Sequence, residues 1–195
     1  SFHVTGVQTC ALPIFSYAQS APLDMRMDQT RGVTAQEVID SYSRNDLIRV
    51  IREYGEERFA SRIVDNIIEA RQTKAIASTS DLADLIKRSI PAPARRVGGN
   101  PAKRTFQALR IEVNQELSVL ERAIPLAMNR LRVGGRMVVM SFQSLEDKIV
   151  KRFFTTATQS LTPRELPIEI ASMQAKFVLA FSGSEKASQQ EIDKN

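Results

Sequence analysis

Between Thr34 and Ile90 apolar residues recur at helical spacing, and no stretch alternates as a strand would. This periodicity, punctuated by caps, constrains the chain more than any other feature. Thr34 with Glu37 forms a capping-box pattern at the start of TAQEVIDSYS, and Ser43 with Asp46 opens a second helix. That helix places Leu47, Val50, Ile51 and Tyr54 on one face and is closed by Gly55. A third, roughly Glu56 to Arg71, stacks Phe59, Ile63 and Ile67; a fourth begins near Ser80, buries Leu82, Leu85 and Ile86, and ends before Pro91. Short amphipathic helices in such succession predict a small helical subdomain.

From Pro101 the pattern changes. Phe106, Leu109, Val113, Leu117 and Leu120 predict one helical stripe over five turns, and a short helix around Pro125 to Leu131 follows, with Pro125 suited to a first turn. Gly134 and Gly135 turn the chain into Arg136 to Phe142, whose Met-Val-Val-Met run is short, continuous and partly β-branched, as a buried parallel strand is. Ser144, with Asp147 three residues on, is expected to cap a helix burying Ile149, Val150 and Phe153, and Lys176 to Ser182 reads as one more strand. Helix, Gly-Gly turn, strand and capped helix predict an α/β fold, half of a doubly wound sheet, carrying the helical subdomain as an insertion.

The only His (His3) and the only Cys (Cys10) lie in the first fourteen residues. Of these, VTGVQTCALPI (Val4 to Ile14) matches the translation of a common sequencing-library adapter, so 1–14 are read as a scar and set aside. A short signal peptide is the competing reading; it lacks a basic n-region, and Pro13 interrupts its apolar run. The residues after Ile14 therefore offer no disulfide, thiolate zinc site, cysteine nucleophile or imidazole chemistry. No metal site is supported. No apolar run approaches the roughly 18 residues a membrane helix needs, so a soluble, cytoplasmic protein is expected. The net charge of +5 suits a polyanionic partner or merely a basic protein. Arg95, Arg96, Lys103 and Arg104 cluster in PAPARRVGGNPAKR, a loop that reads equally as a phosphate contact or a solvated linker.

Three stretches carry a family signature: APLDMRMD (Ala21 to Asp28), RTFQALRIEVNQEL from Arg104, and GGRMVVMSFQSLEDKIVKRF, which ends at Phe153. With the segments between them they resemble the bacterial ribosomal RNA small subunit methyltransferase H family, also called MraW, from about Phe15 to the last residue. The resemblance implies a Rossmann-like methyltransferase domain that uses S-adenosylmethionine (SAM) to methylate the exocyclic N4 of a cytidine in 16S rRNA. It also implies a helical insertion that helps to hold RNA. The implied division is 15–33 and 101–195 for the methyltransferase core and 34–100 for the insertion, with 16S rRNA or the small subunit as partner, no membrane, no DNA, and a homo-oligomer left open.

Within that frame the candidate substrate-binding residues are Asp24, Arg26, Asp28, Arg104, Gln107, Arg110, Ser141, Phe142, Gln143 and Ser144. Arg26 would hold phosphate and Asp24 or Asp28 the cytosine amine; an internal Arg-carboxylate brace is the alternative. Arg104, Gln107, Arg110 and Asn114 form a polar ridge that lines the cleft or is a solvated helix face. Ser141 to Ser144 run from a strand end into a helix N-terminus, where backbone N–H groups and the two hydroxyls would orient a flipped base and Phe142 would stack on it. For Ser144 and Phe142 the plainer roles are helix cap and core. The family usually reads SFHSLED, so Gln143 stands where a His is expected and can position a base but not take its proton.

The family's Gly-rich SAM loop and ribose-binding acid have no counterpart after Phe15, since Gly98-Gly99 and Gly134-Gly135 read as turn glycines. A fragment lacking the SAM-binding half and the extreme C-terminus is expected, inactive by itself. The rival from another class is a non-enzymatic RNA-binding helical module; a third possibility is a protein-binding scaffold.

Overall fold

The computed structural model describes residues 20–73, 76–95, 100–163, 165–166, 168, 170–181, 183 and 188–192. The expected scar at 1–14, Arg96, Gly98, Gly99 and Ser182 lie outside the described residues. The chain divides into two compact units, the first ending at Ser118 and the second starting at Val119.

The first unit is a helical cluster. Helices α1 (Ala35–Ser41), α2 (Arg44–Glu53), α3 (Ala60–Thr73) and α4 (Thr79–Ser89) are followed by the single turn α5 (Ala92–Arg95) and by α6 (Lys103–Asn114). The expected caps are in place. Glu37 N–H donates to Thr34 Oγ1 at 3.1 Å while Thr34 N–H donates to Glu37 Oε2 at 2.7 Å, and Asp46 N–H donates to Ser43 Oγ at 3.2 Å. The fourth helix is capped by Ser78 through the Asp81 N–H. The third starts later than Glu56 because Glu56 adopts a left-handed φ of 48° and the buried Glu57 accepts the Phe59 N–H at 2.8 Å. Apolar faces converge on one core: Val38 and Ile39 of α1, Leu47 and Ile51 of α2, Ile63 and Ile67 of α3, Leu82 and Ile86 of α4, and Phe106, Leu109 and Val113 of α6.

The expected five-turn stripe is broken. Gln115 takes a left-handed φ of 52° and ends α6, and α7 (Glu116–Met128) starts at the next residue. Pro125 lies inside α7 rather than opening a separate helix.

In the second unit α8 spans Ser144–Ala157, and two short turns follow, a 3-10 turn at Ala171–Met173 and α9 (Gln189–Ile192). The α/β expectation, a Rossmann-like half-sheet with strands at Arg136–Phe142 and Lys176–Ser182, is overturned: the regular structure among the described residues is helical, with no strand. A strand exists only through a hydrogen-bonded neighbour, and residues 136–142 have none among the described residues. Their side chains still alternate, with Val138, Met140 and Phe142 exposed and Met137, Val139 and Ser141 half-buried. The period of two that the sequence announced is present, and the ladder that would make it a sheet is not.

Gly55 joins α2 to α6. A Cβ there would lie 2.6 Å from the Arg104 carbonyl oxygen and 2.7 Å from that of Ile51, both rigid backbone atoms. Gly55→Ala is expected to push α2 and α6 apart and cost about 1–3 kcal/mol, the usual range for overpacking, read as a lowered urea midpoint with an unchanged slope.

Candidate functional site

The ten candidate residues divide between the units: Asp24, Arg26, Asp28, Arg104, Gln107 and Arg110 in the first, Ser141 to Ser144 in the second.

Residues 20–33 form an ordered loop built by alternation. Leu23 and Met25 are buried in the helical core, Met25 with a left-handed φ of 61°, and Asp24 and Arg26 face the other way. Arg26 and Asp24 form a two-pronged pair, Nε to Oδ1 at 2.6 Å and Nη2 to Oδ2 at 2.9 Å, with Arg26 Nη1 reaching the Gly32 carbonyl at 3.4 Å. The brace is thus the arrangement found for these two residues. The guanidinium bonds hold the Asp24 carboxyl below its usual range, so this pairing adds stability above the ordinary carboxylate pKa and loses it as pH falls through the lowered one. Asp28 stands apart from the pair, accepting from Thr30 N–H at 3.1 Å, Thr30 Oγ1 at 2.6 Å and Arg31 Nε at 2.7 Å; the Thr30 bonds in particular lower its pKa.

The polar ridge of α6 is neither bare cleft lining nor simply solvated. Arg104 Nη1 donates to the Glu56 carbonyl and Gln107 Nε2 to that of Tyr54, both at 3.3 Å. Arg110 grips Glu116 through Nε at 2.8 Å and Nη2 at 3.1 Å. Asn114 is the residue whose role the sequence did not reveal. Its Oδ1 accepts from Met27 N–H at 2.7 Å and its Nδ2 donates to the Met25 carbonyl at 2.8 Å, fastening the loop to α6 across nearly ninety residues of chain. Its place on the ridge was the only signal; nothing in the spacing says what it reaches. Tyr42 and Glu112 were missed in the same way: Tyr42 Oη donates to Glu112 Oε1 at 2.8 Å, and burial together with that carboxylate pushes the phenol up to about 12.

In the second unit, Gln143 rather than Ser144 is the N-cap of α8, and Ser144 is its first residue. Glu146 explains the shift by one, because its Oε2 accepts from Phe142 N–H at 2.9 Å and Gln143 N–H at 3.3 Å. Asp147 instead pairs with Lys151 at 2.7 Å. Gln143 Oε1 faces the Glu146 amide across the first turn without completing a hydrogen bond, and stays a buried acceptor with no partner. Beside it the Phe142 ring is 83 % exposed, so Phe142 is not core.

Added Cβ atoms would stand in open space at Gly32 and Gly134 and would meet backbone carbonyls at Gly55 and Gly135; a glycine-rich loop leaving a strand, the usual nucleoside cradle, is not found among the described residues. Among the described residues no cluster of three or more His, Cys, Asp or Glu is placed to hold a metal, and no helix is long and apolar enough to cross a membrane.

Comparison with known proteins gives the class as methylases. The chain belongs to the MraW methylase family, which matches it over residues 13–195. Proteins called ribosomal RNA small subunit methyltransferase H from Mycolicibacterium smegmatis and Salinispora tropica are each 54% identical over 181 residues, 93% of this chain and 48% and 49% of theirs. One from Nocardia farcinica is 52% identical over 93% of this chain and 56% of its own. The chain spans about half the length of the curated relatives it matches.

Asn114→Ala removes both bonds to the loop and leaves the Met27 N–H and Met25 carbonyl without that partner, for an expected loss of about 1–3 kcal/mol; hydrogen exchange should show the Met27 amide losing protection before the α3 amides do. For Tyr42 the folded pKa is raised, so its contribution to stability is full below pH 10 and fades as pH rises toward about 12. Phenolate absorbance should show one late-titrating tyrosine, and Tyr42→Phe should abolish that phase.

Proposed function

We propose that the protein methylates the exocyclic N4 of a cytidine in 16S rRNA with SAM as methyl donor, and that this chain supplies residues that hold and orient the RNA. The observation that carries the reading is the family match over residues 13–195, supported by relatives named for small-subunit rRNA methylation. The donor supplies an electrophilic methyl group. The residues of this chain act by placement, where most of the barrier reduction in a transfer between two bound partners originates.

Phe142 offers an exposed ring on which a base can stack, and Gln143 beside it, its Oε1 buried against the first turn of α8, fixes the backbone that presents that ring. Ser141 and Ser144 flank them with hydroxyls, at the end of α8 where the helix dipole favours a phosphate. Gln143 orients and does not accept a proton at neutral pH; the amine can lose its proton to water after transfer. Arg104 and Gln107 spend one bond each on the Tyr54–Glu56 turn and keep further donors for RNA. Asp24 and Arg26 act as a pair that fixes the loop, with a substrate role for Arg26, Asp28 and Arg110 confined to the donor and acceptor positions their internal partners leave open. The setting proposed is the cytoplasm, where small-subunit rRNA is found in bacteria.

The test is a chimera. The 181 residues matched in the Mycolicibacterium smegmatis relative are replaced by those of this chain, and transfer of labelled methyl from SAM to unmethylated small subunits is followed, with the product nucleoside identified by mass spectrometry. N4-methylcytidine is the expected product, and Phe142→Ala in the chimera should cut kcat/KM at least tenfold, in line with about 1–3 kcal/mol for base stacking. A chimera that folds and binds SAM but leaves the RNA unmethylated overturns the reading.

A further inference from the structure

Several arginines tie the protein to itself. Arg26 holds Asp24, Arg44 holds Asp65, Arg71 donates to the Ile39 and Tyr42 carbonyls at the end of α1, Arg110 holds Glu116, and Arg152 holds Glu121. Arg130, Arg132 and Arg136 do nothing of the kind. All three are exposed, and no described residue pairs with them or accepts a hydrogen bond from them. Nor does the sequence offer them a carboxylate nearby, since no Asp or Glu occurs between Glu121 and Glu146.

Their backbone is shaped rather than loose. After α7 the chain turns through hydrogen bonds from Arg130 N–H to the Ala127 carbonyl and from Leu131 N–H to that of Met128, both at 3.1 Å. Gly135 N–H then closes on the Arg132 carbonyl at 2.8 Å, with Gly134 at φ +79°, the geometry of a type II turn with glycine in its third position. The turn brings its ends within about 7 Å, so Arg132 and Arg136 flank its base. Val133 is fully exposed at its tip. Arg130 alone has a local reason to be cationic, the negative end of the α7 dipole; Arg132 and Arg136 have none.

We infer that Arg130, Arg132 and Arg136 form a cationic turn that binds the phosphate backbone of the RNA substrate. The inference rests on the proposed rRNA reading and deepens it by naming a contact outside the ten candidate residues. Guanidiniums without internal partners give up no protein contact when they take up phosphate, whereas Arg26 and Arg110 can offer only the donors that their carboxylate partners leave open. The contact positions the RNA and reads no base, so it makes affinity depend on salt and leaves nucleotide choice to other groups.

The experiment uses the full chain and a fluorescent, unmodified single-stranded fragment of small-subunit rRNA, with affinity measured across a salt series. The triple variant Arg130→Gln, Arg132→Gln, Arg136→Gln is compared with Lys148→Gln, Lys151→Gln, Arg152→Gln, which removes the same charge from α8; circular dichroism checks that both retain their helices. The expected result is that the turn variant flattens the plot of log affinity against log salt by about 2, at about 0.7 per phosphate contact on a single strand, while the α8 variant keeps the parent slope. If the parent binds and the turn variant keeps its slope, the turn is overturned and the rRNA reading stands. Equal loss in both variants overturns it too, since net charge then suffices. Competition by polyglutamate as effective as by the same charge of unlabelled RNA overturns the assignment to phosphate. A parent chain that binds no RNA removes the turn and this chain's RNA-holding role together.

Discussion

The first unit depends on one loop giving its backbone carbonyls to helices that start elsewhere. The Leu23 and Asp24 carbonyls accept the Gln36 and Ala35 N–H groups at 2.7 and 2.8 Å, and the Ala21 carbonyl accepts that of Thr79 at 2.9 Å. The first turns of α1 and α4 would otherwise carry unpaired donors beside an apolar core, a costly arrangement. The loop in turn is held by burial of Leu23 and Met25, about 1.5–3 kcal/mol each, and by Asn114. Met25 can keep its left-handed backbone because its side chain is locked in the core while its carbonyl is fixed by α6.

That arrangement explains why the charged residues of PLDMRMD face as they do. With Leu23 and Met25 directed inward, Asp24 and Arg26 must emerge on the opposite side, only two residues apart, and a two-pronged pair is the natural outcome. An arginine fixed in this way is a poor independent anion receptor and a good rigid edge. The loop owes its order to interior contacts, so whatever binds beside it meets a preformed surface, and little ordering entropy opposes binding there.

The helical part was legible in the sequence because its signals are local. Thr34 with Glu37 and Ser43 with Asp46 act within three residues, and the apolar period of 3.6 names the buried face without knowledge of the partner. Where the deciding contact was distant, the reading fell short. Nothing near Gln115 announces a left-handed residue that splits the expected stripe, and nothing near Asn114 points to Met25 and Met27. Arg136 to Phe142 failed for a related reason. Alternation and β-branching describe a residue's fitness for a sheet, whereas a strand is a relation between two segments, and the described residues contain no second one. The Ser144 cap failed by a single residue, because Glu146 was better placed than Asp147 to reach back to the preceding amides.

The same distinction separates the two arginine populations. Arg26, Arg71 and Arg110 have an Asp or Glu within two residues in the sequence, which Arg130, Arg132 and Arg136 lack. Folding commits the first three to carbonyls and carboxylates and leaves the second three facing water. A net charge of +5 therefore understates how unevenly positive charge is available. What a polyanion meets is the set of cations left after the protein has satisfied itself, and three of that set lie within seven residues where the chain leaves α7 and turns at Gly134.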